Sequence, residues 1–435
     1  MDWLKDNNII KYGYGEYFIL YSPIGRCYVV ATQDQYDRFR STGEYQEIFC
    51  HLAEYIPIAR QPKVRAPKDY TLLTVLPNNM CNFSCYYCYS AKGRNNSQLE
   101  LKNLKVAIDY FFSNKETIPQ KTLTISFMGG GEPMLSWDCV ESGILYARKM
   151  AKEKSRRLNI RIITNGSILD NKHLQFFKDN SVDVSVSFEI LPEIQDSQRK
   201  HYELVSSNIK RLIDYGIPLQ INSTITKENV HRMEEMIERT VAHYPAVKNL
   251  MFEPVVSQDL FESPLDMRQF YKMYSEGFIR SRMLADKYHV SVTSFAYLRT
   301  IFPLERACPG EFCLTPGGDI TGCYCIDSDK LPLFIRTKYG SIVNDKIEFD
   351  EQSFYNLIND NVYKKTECAD CEVRWNCSGG CFQQYHSYDK SYCEEVCLFT
   401  RNFVRDVVCY KINRMWKNSH DSEIKKQPVF FKEEL

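Results

Sequence analysis

From about residue 68 to residue 256, apolar runs alternate with amphipathic stretches. The runs at 70–76, 122–127, 160–163, 182–188, 218–225 and 250–255 are short and rich in β-branched and aromatic residues, and they read as strands. Residues 97–113, 137–155, 169–180, 200–215 and 227–243 between them carry apolar positions at helical spacing. Strand–helix repeats of this kind predict a parallel sheet, either open or as a partial barrel. Functional groups of such folds gather at the C-terminal ends of the strands.

The flanks follow other patterns. Residues 1–67 predict a small α+β extension, with strands at 16–23 and 27–31 forming a hairpin and helices near 33–40 and 45–52. Such a unit suits a small recognition module and suits equally a cap over an edge of the next domain. Residues 257–305 read as a helical connection whose aromatic-rich part, 267–288, packs on the sheet. Residues 306–416 are cysteine-rich, with a hairpin tip at 315–319 and an amphipathic helix over 399–416. The stretch 417–435 is polar and is expected to fray. The core thus runs over 68–256, and no internal repeat or low-complexity segment interrupts the chain.

Composition narrows the function. The chain has 435 residues, 55 Lys+Arg against 55 Asp+Glu, and 44% apolar residues. A balanced charge gives no basic field for nucleic acid. No apolar run reaches membrane-spanning length, and the N-terminus lacks a signal-peptide core, so a cytoplasmic protein is expected. In a reducing compartment the 17 cysteines read as metal ligands or catalytic thiols before disulfides.

Thirteen of the cysteines fall into two groups. Cys81, Cys85 and Cys88 follow the first strand on one short loop. Three thiolates aimed from one loop suit a corner of an iron–sulfur cluster, and a missing fourth ligand leaves one iron open. A zinc knot would normally close with four ligands. After the second strand comes Gly129-Gly130-Gly131-Glu132-Pro133, where glycine lets backbone approach a ligand closely. Ser187 and Arg199 follow the fourth strand, and a hydroxyl with an arginine can hold a carboxylate. The second group is Cys308, Cys313, Cys323, Cys325, Cys368, Cys371, Cys377, Cys381, Cys393 and Cys397, enough for two sites of four. Glu189 and Glu253 stand at strand ends as unassigned acids or bases, and the catalytic residue stays open.

The Cys81/Cys85/Cys88 loop with Tyr87, followed by Gly130-Gly131-Glu132-Pro133, resembles the radical S-adenosylmethionine superfamily. The block from Cys308 to Cys397 resembles its SPASM extension, so the likeness spans roughly residues 68–410. It implies a partial (β/α)6 TIM-like barrel with a C-terminal auxiliary-cluster domain. It implies S-adenosylmethionine on a 4Fe-4S cluster held by Cys81, Cys85 and Cys88, cleaved to a radical that abstracts hydrogen from a substrate. By resemblance Tyr87 lies beside the adenine, Gly130, Gly131 and Glu132 meet the methionine amino group, and Ser187 and Arg199 hold carboxylate or ribose.

The resemblance also implies two auxiliary 4Fe-4S clusters, three in all. The first would take Cys308, Cys323 and Cys381, with Cys313, Cys325 or no residue as the fourth ligand. The second would take Cys368, Cys371 and Cys377. Tyr392 before Cys393 favours Cys393 to close it, while the longer gap also fits Cys397. Glu189-Ile190 departs from the family's Asp-Gly at that turn. The activity implied is a maturase that cross-links a ribosomal precursor peptide, leader plus core, fed by a flavodoxin- or ferredoxin-like electron donor. Formylglycine formation in a sulfatase and peptide epimerisation are the enzymatic alternatives. A multi-cluster electron carrier is the non-enzymatic one.

Overall fold

A computed structural model of the chain describes residues 2–54, 64, 66–113, 122–302, 306–308, 310–416 and 424–433. Its centre is a mixed sheet of eleven strands. Six of them, β4 (Leu72–Val75), β5 (Leu123–Phe127), β6 (Leu158–Thr164), β7 (Val182–Ser187), β8 (Leu219–Ile225) and β9 (Asn249–Pro254), lie side by side in chain order, all parallel. They fall on the six predicted runs. The ladder continues through β10 (Ser291–Thr293), parallel to β9.

Burial explains the strands. On β6, Leu158, Ile160, Ile162 and Thr164 are buried while Asn159 and Arg161 are exposed, the period-two pattern of a strand packed on one face. Between strands run the helices Leu101–Ser113, Trp137–Glu153, Asn171–Asp179, Tyr202–Asp214 and Met233–His243, each close to its predicted range. The start of Asn171–Asp179 is fixed by Asp170, whose carboxylate accepts from the His173 amide at 2.9 Å. A short helix, Pro192–Gln198, was not legible in the sequence because seven residues carry too little periodicity.

The sheet does not stop at the edges expected from the sequence. On the far side of β4 lies β11 (Phe312–Leu314), parallel to it, followed by antiparallel β12 (Asp319–Thr321), β13 (Lys338–Val343) and β14 (Lys346–Phe349). The cysteine-rich part therefore extends the sheet from one edge, and β10 from the connection extends it from the other. The β11–β12 turn is the expected hairpin tip, with Gly318 at φ +83°. The long helix Pro264–Lys287 packs under β9, its Tyr274 hydroxyl donating to the Phe252 carbonyl at 2.8 Å. It also stacks on the helix Lys390–Trp416 through Tyr271 and Phe399, 4.3 Å between centroids. That C-terminal helix begins about two turns before the predicted residue 399, so Cys393 and Cys397 lie within it rather than ahead of it.

A second sheet joins the two ends of the chain. β1 (Ile10–Tyr14), β2 (Tyr17–Ser22) and β3 (Cys27–Ala31) form an antiparallel meander, and β15 (Val429–Lys432) pairs antiparallel with β3. The polar tail expected to fray is thus partly a strand. The cause is the apolar triplet Val429, Phe430 and Phe431 at its end, which a reading of average polarity passes over. This sheet rests on the cysteine-rich block rather than on a barrel edge. Asn376 donates to the buried Tyr21 hydroxyl at 3.0 Å, and Trp375 Nε1 donates to Asn8 Oδ1 at 3.1 Å. Among the described residues no helix is long and apolar enough to cross a membrane.

Candidate functional site

A cavity of about 700 Å³ opens at the C-terminal ends of β4 to β9. That size suits a cofactor together with part of a substrate. Cys81, Cys85 and Cys88 line it from the loop after β4. The loop is short and strongly tied. The Met80 carbonyl accepts from the Glu132 amide at 2.6 Å, and the Asn78 carbonyl from the Gly131 amide at 3.0 Å. A Cβ on Gly131 would stand 1.8 Å from the Met80 oxygen, so only glycine lets the two loops meet. Gly129 and Gly130 turn with φ of +62° and +63°, again glycine's region.

Donors already point at two of the three sulfurs. Arg94 Nη2 lies 3.5 Å from Cys88 Sγ, and the Phe83 amide donates to Cys81 Sγ at 3.4 Å. Hydrogen bonds to sulfur tune the potential of an iron–sulfur cluster. Arg94 escaped the sequence reading because a lone arginine past the loop carries no local signal. Burial pushes the Cys81 and Cys85 thiols up.

Glu132 is buried and clasped. Its carboxylate accepts from Thr164 Oγ1 at 2.6 Å, the Asn165 amide at 2.7 Å and the Met134 amide at 3.1 Å. Burial holds its pKa above the ordinary value against those three bonds. The clasp binds the end of β5 to the end of β6 beside the cysteine loop.

Tyr87, Glu189 and Arg199 form a buried triad. The Tyr87 hydroxyl donates to Glu189 and accepts from Arg199 Nη1 at 2.7 Å, and Arg199 lies 3.6 Å from Glu189 Oε1. The Thr224 amide donates to Glu189 Oε2 at 2.9 Å. Burial raises Glu189 to about 7, opposed by Arg199. Glu189 thus braces Tyr87 and Arg199, both of which line the cavity. Ser187 lines the cavity at the end of β7.

The second cysteine group divides in two. Cys308, Cys323, Cys325 and Cys381 line the same cavity as the first three, whereas Cys313 does not. Cys313 sits on β11, fully buried and hydrogen-bonded to Thr321 across the hairpin. A hydrogen bond from Cys325 holds the Cys323 thiol below its usual range. Of the two residues left open as fourth partner, Cys325 therefore stands with the set. Cys371 and Cys377 pack against the hydrophobic cluster of the N-terminal sheet. The Cys397 thiol is pushed up to about 11, first by burial and then by the field of Cys377, Cys368 and Cys371. Cys393 feels Asp389 and Lys365 instead, and its thiol points at the Gln384 and Tyr388 carbonyls, 3.7 and 3.8 Å away. The two cysteines are one helical turn apart on the helix Lys390–Trp416. Among the described residues no three His, Cys, Asp or Glu side chains converge on a single metal ion.

The residues fit the implied cofactors. Several buried polar atoms around the cavity have no protein partner, among them Arg199 Nε, Ser90 Oγ, Arg306 Nη1 and Glu311 Oε2. Buried polar atoms are otherwise almost always paired, so such a set belongs to a site built for a polar guest. Glu253, at the end of β9, accepts from the Phe295 amide and faces the cavity, and burial lifts it to about 8. Burial lifts Glu311 to about 8 as well.

Barrels with their chemistry at the strand ends commonly work through a bound cofactor held by loop residues. This chain is such an enzyme and carries a radical SAM domain, residues 75–240 matching the model of the Radical SAM superfamily. That domain implies S-adenosylmethionine and a 4Fe-4S cluster. An uncharacterized protein of Methanocaldococcus jannaschii is 29% identical over 40% of this chain, which spans 59% of that protein. A cysteine-type anaerobic sulfatase-maturating enzyme of Clostridium novyi (strain NT) is 20% identical over 72% of this chain and 88% of its own length. The fold is shared with the structure of anSMEcpe with bound AdoMet, at TM-score 0.62 and 18% identity over 80% of this chain and 99% of that one. It is shared too with Streptococcus suis SuiB bound to precursor peptide SuiA, at TM-score 0.52 and 11% identity over 88% of this chain and 98% of that one.

Proposed function

We propose that this chain is a peptide maturase that forms an oxidative cross-link within a ribosomally made precursor peptide, using two auxiliary 4Fe-4S clusters. The observation that carries the reading is the shared cavity: the wall that holds Cys81, Cys85 and Cys88 faces a wall that holds Cys308, Cys323, Cys325 and Cys381. When bound, the cofactors supply a hydrogen-abstracting radical on one side and an electron acceptor on the other. A cross-link removes one hydrogen as an atom and a second as proton plus electron, so it needs both walls.

In this reading Cys325 completes the first auxiliary set and Cys397 the second. Gly130, Gly131, Glu132, Ser187 and Arg199 hold S-adenosylmethionine, and Tyr87, braced by Glu189, positions its adenine. Glu253 exchanges a proton with the peptide near neutral pH, where an acid–base group works best. The apolar groups of the same wall, Tyr271 and Phe295, exclude water from the reacting carbon. A flavodoxin- or ferredoxin-like protein supplies the reducing electron.

Formylglycine formation is the second reading, favoured by the span shared with the sulfatase-maturating enzyme of Clostridium novyi. One assay separates the two. The anaerobically reconstituted enzyme, reduced and given S-adenosylmethionine, is incubated with the short peptide encoded beside it and with a sulfatase-derived peptide. Loss of one hydrogen pair from the precursor, with fragment ions missing between two joined residues, is expected. An aldehyde formed only in the sulfatase peptide would replace the first reading with the second. Deuterium uptake without mass loss would mark epimerisation.

A further inference from the structure

The second sheet has one edge that the chain closes with its own end. β3 is buried along its whole length, from Cys27 to Ala31, although it is next to last in its sheet. β15 covers it in antiparallel register, Val429 opposite Val30, Phe430 opposite Val29 and Phe431 opposite Tyr28. An uncovered edge of this kind is a template for pairing with another chain.

The groove that β15 fills is apolar on both faces. Val429 and Phe431 pack on the side of Val404, Val408 and Ile412 of the C-terminal helix. Phe430 packs on the other side, against the cluster of Phe39, Phe49 and Leu52, its ring 5.6 Å from that of His51. At the end of the groove Lys411 Nζ lies 2.7 Å from Glu433 Oε1, and the Tyr28 hydroxyl donates to the same carboxylate. Lys411 is only 11% exposed. A buried ammonium left without its carboxylate is strongly unfavourable, so an occupant of this groove has to bring an acid to that point.

The hold is local. β15 is four residues long, and its three apolar side chains are only half-buried. Upstream, the buried Ile424 and its carbonyl, which accepts from Gln35 at 2.8 Å, form a separate anchor. The contacts of this anchor are thus separate from the pairing of the strand with β3.

We infer that the β3 edge is a docking groove for an extended peptide, held closed by the chain's own C-terminal strand until that peptide displaces it. The side chains of the strand define the partner: apolar, aromatic, aromatic, any residue, acidic, running antiparallel to β3, with the acid on Lys411 and Tyr28. The inference rests on the peptide-substrate reading, in which the occupant is the leader segment of the precursor. Its affinity comes from backbone pairing and its selectivity from the two apolar faces and the buried lysine.

The probe is a fluorescent synthetic peptide with the sequence of residues 427–433. It is titrated into the full-length holoenzyme, into full-length Glu433→Gln, and into a chain that stops before Pro428. Binding at least tenfold tighter to both variants than to the intact chain is expected. Replacing the peptide's own glutamate by glutamine should remove most of that gain, as should Lys411→Met in the shortened chain. Equal binding to all three proteins, or none to either variant while its melting transition and iron content match the parent, overturns the inference. Full-length Glu433→Gln keeps the test valid should the shortened chain fail to fold. Turnover is read separately. Peptide binding with no modified precursor would leave the groove standing and remove the cross-linking reading, and modified precursor with no groove binding would do the reverse.

Discussion

Ile190 adopts a left-handed backbone, φ +68°, in a buried turn. A β-branched residue pays steric strain there, and glycine would be free of it. The turn keeps the conformation because Glu189 must point its carboxylate at Tyr87 and Arg199, and the Ile190 carbonyl must accept from Arg239 Nε at 3.2 Å. The cavities left by alanine and by glycine differ only by the Cβ methyl. Ile190→Gly is therefore expected to be more stable than Ile190→Ala by about 1 kcal/mol. The order is opposite to that of ordinary helix or strand positions, and chemical denaturation of the two variants measures it.

Glu253 gives a second prediction at this scale. Its pKa rises from an ordinary 4.5 to about 8 because burial outweighs the Phe295 amide and the field of Arg299. Below pH 4.5 the group is protonated in both states and contributes nothing. Between pH 4.5 and 8 the unfolded chain ionises first, so the folded state loses stability as pH rises, and above 8 the loss is complete. Allowing for screening by cavity water, the loss is on the order of 3 kcal/mol. Glu253→Gln keeps an acceptor for the Phe295 amide without a charge. Its stability relative to the parent should grow from pH 5 to pH 8, and denaturation midpoints at the two pH values check this.

At the scale of elements, the helix Lys390–Trp416 and the β11–β12 hairpin decide which cysteines meet. Cys393 and Cys397 are nearly indistinguishable by sequence, but only Cys397 feels the field of Cys377, Cys368 and Cys371. The hairpin buries Cys313 against Thr321 and leaves Cys325, beyond its end, in the cavity. With two auxiliary clusters, Cys325→Ser and Cys397→Ser should each lower iron content by roughly four irons per chain. Cys313→Ser and Cys393→Ser should leave it unchanged. Anaerobic iron analysis of the four variants distinguishes the pairs.

The strands and helices of the barrel were legible because each has its own period. β6 alternates buried and exposed residues in sequence as it does in space. The loop of Cys81, Cys85 and Cys88 was legible because its ligands are close in the chain. The contacts of the Tyr87–Glu189–Arg199 triad were not, since Tyr87 follows β4 while Glu189 and Arg199 follow β7, and only the sheet brings the two together. Nor was β11, three residues that become a strand because β4 offers an open edge.

On the scale of the whole molecule, two sheets share one cysteine-rich block. Cys371 and Cys377 pack against the hydrophobic cluster of the N-terminal sheet, while Cys308, Cys323, Cys325 and Cys381 face the barrel cavity. The block therefore lies between the predicted radical chemistry and the unit that closes over the chain's end. Local spacing by itself determined the parallel barrel, the three-cysteine loop and the existence of a second cysteine-rich region, because periodicity and short-range ligand spacing are properties of neighbours in the chain. The tertiary structure alone decided which later cysteines stand together, where the acids face, and that the last strand pairs with β3. Those depend on pairing between residues as far apart as Val30 and Val429, whose contact is fixed by the free energy of covering an edge and burying apolar faces, and that contact leaves no mark on either segment read alone.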